Sequence, residues 1–228
     1  MHTASNYVAF CMDSLRWDIF NEANAPNLKS FTDYKRAYSR AGCTVPSIFS
    51  TFMNIPWYEA RKEKLIPWLK SWAWVPSDLS QMGYSTAFFT SNPMFKLYRP
   101  TFEKGFDDYK IFGSSYSAAT MIQETIEFFE KDGPKFVFLL FMETHHPYVH
   151  HNEVQFGKRY PIKHQRDALE TLDKEFSRLL HGIRGTDTEI IIFSDHGDLD
   201  MKREGDHGHG HGTFHRKLFE IPLGRGMI

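Results

Sequence analysis

Cysteine is scarce: Cys11 and Cys43 are the only two in the chain. They cannot build a disulfide framework, and such sparing use points to a reducing, cytoplasmic setting. An excess of positive charge is also missing. Lys plus Arg number 27 against 28 Asp plus Glu, net charge −1. That excludes a general nucleic-acid binder while leaving room for a local charged site. No apolar run reaches the roughly 18 residues of a membrane span. The opening Met1–Asn6 stretch has neither the basic nor the apolar part of a signal peptide. No internal repeat and no low-complexity linker divides the sequence. The 228 residues, 41% of them hydrophobic, therefore suit a single globular domain over 1–228.

Histidine, by contrast, is abundant and clustered. Of twelve, four fall at His145, His146, His150 and His151, and five at His196, His207, His209, His211 and His215. Each window follows a strongly apolar run. Imidazole is the usual nitrogen ligand for metals and the usual proton carrier near neutral pH. Two solvated loops would be the bland explanation of either window by itself.

Apolar runs at Tyr7–Met12, Thr86–Thr90, Lys135–Met142 and Glu189–Phe193 read as strands buried on both faces, as in a parallel sheet. Between them, Ala118, Met121, Ile122, Thr125, Ile126 and Phe129 recur at helical spacing, as do Leu169, Leu172, Phe176, Leu179, Leu180 and Ile183. This alternation predicts an α/β sandwich. The Trp-rich Trp57–Trp74 segment reads as a helical excursion. Ligands of open parallel sheets gather at the carboxyl ends of the strands. Here those ends deliver Asp13, Glu143 with His145, and Asp195 with His196.

Several short motifs carry chemistry. Asp13 offers a hard oxygen ligand, or a helix cap, and Asp18 reads as structural. In Cys43-Thr44-Val45-Pro46-Ser47, Pro46 suits the first turn of a helix, which places Thr44 just ahead of a helix N-terminus, where partial positive charge favours an anion. A capping Thr would look the same. At Asp195-His196 the turn after a strand lets both side chains reach one ion. Pro147 keeps His146 extended, and His145 is a candidate donor to a leaving oxygen. The Gly-alternating loop around His207, His209 and His211 is pliable enough to close over a ligand.

In order, these segments resemble the sulfatase-like branch of the alkaline phosphatase superfamily. Asp13 to Asp18 is similar to its opening strand-end motif, Ala25-Pro26-Asn27-Leu28 to its TPNL element, and Thr44-Val45-Pro46-Ser47 to its nucleophile stretch. His145-His146-Pro147-Tyr148 resembles H-x-P-Y, Ser194 to Asp198 resembles S-D-H-G-E, and His211-Gly212 with Ile221-Pro222-Leu223 resembles the late G-H-G and V-P-L elements. The resemblance implies an alkaline phosphatase-like α/β/α sandwich with a mostly parallel sheet. It implies a divalent metal held by Asp13, Thr44, Asp195 and His196, with Thr44 as nucleophile. His145 and His211 would contact the transferred group or hold a second metal, with His207 and His209 competing for the role of His211.

Three oxygens and one nitrogen suit Zn²⁺ or Mn²⁺, and Ca²⁺ or Mg²⁺ is compatible. Formylglycine sulfatases carry C-x-P-S-R. Here Thr44 replaces the Cys, Ile48 replaces the Arg, and Cys43 stands one place too early. That departure favours phosphate mono- or diester transfer or hydrolysis through a covalent threonine. The alternatives are a sulfatase working without formylglycine and an inactive metal- or ligand-binding module. The expected partner is a small-molecule or headgroup phosphate or sulfate ester, and homo-oligomerisation stays open. Family members are longer, so the chain is expected to be either a minimal catalytic domain without the C-terminal subdomain or a fragment.

Overall fold

The computed structural model describes residues 5–54, 74–113, 117–148, 160–205, 208–210 and 213–228. The Trp57–Trp74 excursion therefore lies outside the described residues except at Trp74. That ring is buried, packs on Phe52 at 5.1 Å and donates Nε1–H to the Lys104 carbonyl at 2.7 Å.

Seven strands form one sheet: β1 (Asn6–Met12), β2 (Lys35–Tyr38), β3 (Ser85–Thr90), β4 (Asp108–Ile111), β5 (Lys135–Phe141), β6 (Thr188–Ser194) and β7 (Glu220–Met227), in the order β2-β7-β6-β1-β5-β3-β4. The pairings β6-β1, β1-β5, β5-β3 and β3-β4 are parallel, whereas β7 runs antiparallel to both β6 and β2. The sheet is mostly parallel, as expected from the apolar runs.

Side-chain alternation builds the two outer layers. Val8, Phe10 and Met12 of β1, with Val137, Leu139 and Phe141 of β5, face one core. That core is closed by α1 (Trp17–Glu22), α2 (Pro26–Phe31), α5 (Ala118–Phe129) and α6 (His164–Gly182). Ala9, Cys11, Phe136, Phe138 and Leu140 face the other core, beneath α3 (Thr44–Met53) and near α4 (Val75–Gln81). A strand covered on both faces has no polar side, so its sequence is a continuous apolar run. The Leu169, Leu172, Phe176 and Leu179 stripe of α6 is fully buried. From the same helix Asp173 accepts hydrogen bonds from Asn27 Nδ2 and the Leu28 N–H, both at 2.7 Å, pinning the start of α2.

Three strands escape the apolar-run criterion. The edge strands β2 and β4 are four residues long and half-exposed, and they carry charge, as edges that resist unwanted pairing commonly do. β7 is interrupted by Pro222, Gly224 and Gly226. At Gly224 a Cβ would press on Thr32 and Tyr34, so the glycine admits the chain that leads into β2.

Glu143, just past β5, is 1% exposed and acts across elements. Its Oε1 accepts the Ala118 N–H at 2.7 Å, capping α5 where Ser117 makes no side-chain cap. Its Oε2 is buried with no hydrogen-bond partner. Burial pushes its pKa from 4.5 up to about 7, against the lowering effect of the Ala118 bond. The folded protein thus keeps a proton that the unfolded chain releases near pH 4.5. The stabilisation is complete below that pH and is lost as pH rises through about 7, a difference of about 3 kcal/mol. Glu143→Gln is expected to flatten the loss and to be the more stable protein at pH 8. Urea unfolding of both proteins at pH 5 and pH 8 checks this, and an unchanged pH slope would refute it.

Candidate metal and nucleophile site

Four adjacent parallel strands, β6, β1, β5 and β3, end on the same side of the sheet. Asp13 follows β1, Asp195 and His196 follow β6, His145 follows β5, and Asn92 follows β3. Across from them, α3 begins at Thr44, with Cys43 as its N-cap residue. Thr44 is therefore the first helical residue rather than the one ahead of the helix, and it makes no side-chain cap. Its Oγ1 instead lies 3.1 Å from His196 Nε2, and 3.4 and 3.3 Å from the two Asp13 carboxylate oxygens. The capping explanation of Thr44 does not hold. Nor does a capping role for Asp13, because the N-cap residue of α1 is Arg16.

The acidic pair is fully enclosed. Asp13 is 0% and Asp195 1% exposed. Asp13 accepts from Ser14 Oγ at 2.8 Å and Asn92 Nδ2 at 3.1 Å. Asp195 Oδ1 accepts the backbone N–H of Ser14 at 3.1 Å and of His196 at 2.9 Å. Ser14 reaches both acids from a left-handed backbone, φ 64°, a strained conformation for a non-glycine residue and one that clusters at functional sites. Asp195 Oδ2 is buried without a hydrogen-bond partner. Burial first, and then the Asp13 charge, push the Asp195 pKa far above the usual carboxylate range. Two buried like charges and an orphaned oxygen are costly unless a cation lies between them.

His196 completes the donor set. Its Nδ1 lies 2.7 Å from the Gly197 carbonyl, which accepts the ring proton and leaves the Nε2 lone pair turned to the acids. Burial holds its pKa below the usual value, favouring the neutral ligand form. Ligand atoms of Asp13, Asp195 and His196 all lie within 4.8 Å of one another. With Thr44 Oγ1 they offer three hard oxygens and one nitrogen, which fits a divalent cation such as Zn²⁺. Glycine at 197 is demanded by close approach, since a Cβ there would collide with the Lys217 carbonyl.

Surrounding groups hold this set in place. Thr144 Oγ1 donates to the Asp13 carbonyl at 2.7 Å and Ser47 Oγ to the Asp195 carbonyl at 2.6 Å. Gln165 Nε2 bridges the carbonyls of Ser14 and Thr144 at 2.9 and 2.8 Å. Asp18 is structural as expected: it and Glu204 clasp the buried Arg16 guanidinium, with Oδ2 at 2.7 Å and Oε1 at 3.1 Å from Nη2.

Two imidazoles flank the acids. His145 Nδ1 is 2.6 Å from the His146 carbonyl, so that nitrogen carries a proton and Nε2 faces outward for chemistry. The His209 ring centroid lies 4.3 Å from that of His196 and 5.0 Å from that of His145. His209 Nδ1 is 3.3 Å from Asp198 Oδ1, and Tyr148 Oη donates to Asp198 Oδ2 at 3.2 Å. Burial opposes ionisation of Asp198, yet the His209 hydrogen bond and the fields of His209, His145 and His196 together outweigh it and keep the pKa below the usual range. His207 and His211 lie outside the described residues. His146 accepts the Tyr160 N–H at 3.1 Å and so has a structural task.

Sequence reasoning passed over Asn92, and it placed Asp198 and Tyr148 in motifs without giving either a role. Asn92 stands where the strand-end rule points, after the apolar run of β3, but it is neither acid nor imidazole. Cys43 is no nucleophile: burial, and then the charges of Asp195 and Asp13, push its thiol up to about 11.

A family model described as Sulfatase matches residues 5–223. No curated protein matches the chain in sequence. Among solved structures, the chain is similar to the C-terminal periplasmic domain of EcEptC from Escherichia coli in complex with Zn, with TM-score 0.73 and 14% identity over 100% of this chain and 74% of that one. It is similar to the phosphonate monoester hydrolase of Agrobacterium radiobacter, with TM-score 0.71 and 14% identity over 96% of this chain and 67% of the other. It is also similar to a protein in the alkaline phosphatase superfamily from Vibrio parahaemolyticus, with TM-score 0.66 and 18% identity over 99% and 60%. At these identities the likeness is one of fold.

Proposed function

Because the chain belongs to the sulfatase family, within the alkaline phosphatase superfamily, we propose that it is a metal-dependent enzyme transferring the phosphoryl group of a phosphate mono- or diester through Thr44. The observation that carries this reading is the placement of Thr44 Oγ1 at the start of α3, in contact with both Asp13 and His196 Nε2. Thr44 where formylglycine sulfatases carry Cys, and Ile48 where they carry Arg, argue against the formylglycine route. The names of two structural neighbours, a phosphoethanolamine transferase from Campylobacter jejuni and a phosphonate monoester hydrolase, agree with phosphorus chemistry.

Asp13, Thr44, Asp195 and His196 would hold the cation. When bound, a divalent ion there supplies Lewis-acid polarisation of the ester and a lowered pKa for the threonine hydroxyl. Thr44, its hydroxyl proton released to solvent, attacks phosphorus in line, forming its P–O bond as the bond to the leaving alcohol breaks. The first-turn N–H groups of Thr44 and Val45, at the positive end of α3, face the transferred anion. His145, protonated on both nitrogens, gives the Nε2 proton to the departing oxygen. Its neutral form then takes a proton from water or an acceptor alcohol, which displaces Thr44 as the alkoxide that began the cycle and leaves His145 protonated again. His209, held through Nδ1 by Asp198, turns its other ring edge toward the same anion. A cytoplasmic setting, resting on the sparing use of cysteine, belongs to the same proposal; cell fractionation tests it.

The direct test is a matched assay of p-nitrophenyl phosphate, bis-p-nitrophenyl phosphate and p-nitrophenyl sulfate with Zn²⁺ or Mn²⁺ supplied. Turnover of phosphate esters over the sulfate is expected; preference for the sulfate would overturn the reading. His145→Ala should lower kcat/KM about 10²- to 10⁴-fold for esters with alkyl leaving groups. The loss should be much smaller with p-nitrophenolate, which departs without a proton. Equal losses for both would remove the acid role from His145.

A further inference from the structure

A cavity of about 370 Å³ opens beside Thr44. One end holds Asn92, His145 and His209, and the rest of the wall is apolar, built from Val45, Pro46, Pro93, Met94, Tyr98 and Met142. Among the described lining residues there is no Lys, Arg, Asp or Glu. Met94 and Tyr98 are 46% and 41% exposed at its mouth, large apolar surfaces that a ligand would cover. On the far side of Pro93, Met142 and His145 a second cavity of about 290 Å³ is lined by Phe112, Gly113 and Pro147 together with Ser91, Lys96 and His146, so it does carry a cation. Ser91 Oγ there is buried without a hydrogen-bond partner.

We propose that the substrate is an ester bearing an apolar substituent, an aryl ring or short alkyl chain, that seats in the cavity between Val45–Pro46 and Met94–Tyr98. The proposal rests on the ester-transfer reading above and names its substrate class. Space is ample, since an engineered apolar cavity of about 150 Å³ already holds benzene. Beyond His145 and His209, which the transferred group occupies, the described wall gives a second anionic group nothing to pair with, so burying one among Val45, Pro46, Met94 and Tyr98 would carry a large desolvation cost. An apolar arm instead gains about fourfold in affinity per buried methylene.

Calorimetric titration of the Zn²⁺-supplied protein with methyl-, n-butyl- and phenylphosphonate and with phosphonoacetate tests this without turnover. Affinity is expected to rise from methyl to butyl to phenyl, with phenylphosphonate binding about tenfold or more tighter than methylphosphonate. Phosphonoacetate should bind no better than the methyl compound. Met94→Ser and, separately, Tyr98→Ser should weaken phenylphosphonate about fivefold and leave methylphosphonate unchanged. Equal affinities across the series, tightest binding of phosphonoacetate, or no binding of any of the four would overturn the proposal. Turnover of p-nitrophenyl phosphate by the same preparation decides the ester-transfer reading separately.

Discussion

Thr44→Ala is expected to remove turnover, by a factor on the order of 10⁴ or more, in a protein that folds and unfolds like the parent. Thr44 is not the N-cap residue of α3, and among the described residues its hydroxyl touches only the Asp13 carboxylate and His196 Nε2. Removing it therefore costs the fold little, roughly 1 kcal/mol or less. Thr44→Ser should restore a large part of the rate, because the hydroxyl is kept at the same helix start. The measurement is single-turnover kinetics beside thermal unfolding of the three proteins. If Thr44→Ala kept parental turnover of phosphate esters, the nucleophile would lie elsewhere. If it lost activity together with cooperative unfolding, Thr44 would be a structural residue.

Asp195→Asn should have effects of opposite sign with and without metal. In chelator, the parent encloses two carboxylates and an Oδ2 with no hydrogen-bond partner. An amide at 195 needs neither a buried charge nor the proton that burial and Asp13 force on the acid, so the variant is expected to be the more stable protein, by about 1–3 kcal/mol. With Zn²⁺ or Mn²⁺ at about 100 times its Kd, the parent should gain about 2.7 kcal/mol. For a chain of this length that is a rise in Tm of roughly 5–10 °C. The variant should gain almost nothing and should lose activity by about 10³-fold or more, because an amide replaces an anionic ligand. Thermal scans of both proteins in chelator and in metal, with ester turnover alongside, report all three effects. A variant destabilised in chelator, with a metal-induced rise equal to the parent's, would contradict the metal assignment.

Much of the architecture is legible in the sequence because burial on two faces leaves its mark. The runs at Tyr7–Met12, Thr86–Thr90, Lys135–Met142 and Glu189–Phe193 correspond to β1, β3, β5 and β6, the strands whose ends carry the candidate site. The edges β2 and β4 are too short and too charged to leave such a run. In β7, Pro222 and two glycines break the pattern for reasons of packing that only the folded neighbours reveal.

The site divides the same way. Asp13, Thr44, His145, Asp195 and His196 are chemically conspicuous, and the fold brings all five together. Asn92 is a neutral amide after an apolar run and carries no chemical flag. Asp198 and Tyr148 acquire meaning only through a hydrogen bond across 50 residues of sequence. The glycine-rich loop has no periodicity to rank His207, His209 and His211, so the sequence leaves them equivalent. Among its described residues, Gly208 bridges to Leu199 and sets His209 against Asp198.

The central claim is that the transferred group rests on Thr44. Mixing the His145→Ala protein, supplied with metal, with bis-p-nitrophenyl phosphate should slow the second displacement and leave a covalent adduct. Rapid acid quench and peptide mass spectrometry locate it. The expected result is a phosphoryl ester on the peptide containing Thr44, absent from the same experiment with Thr44→Ala. An adduct on any other residue, or turnover with no covalent adduct at any time point, would contradict it.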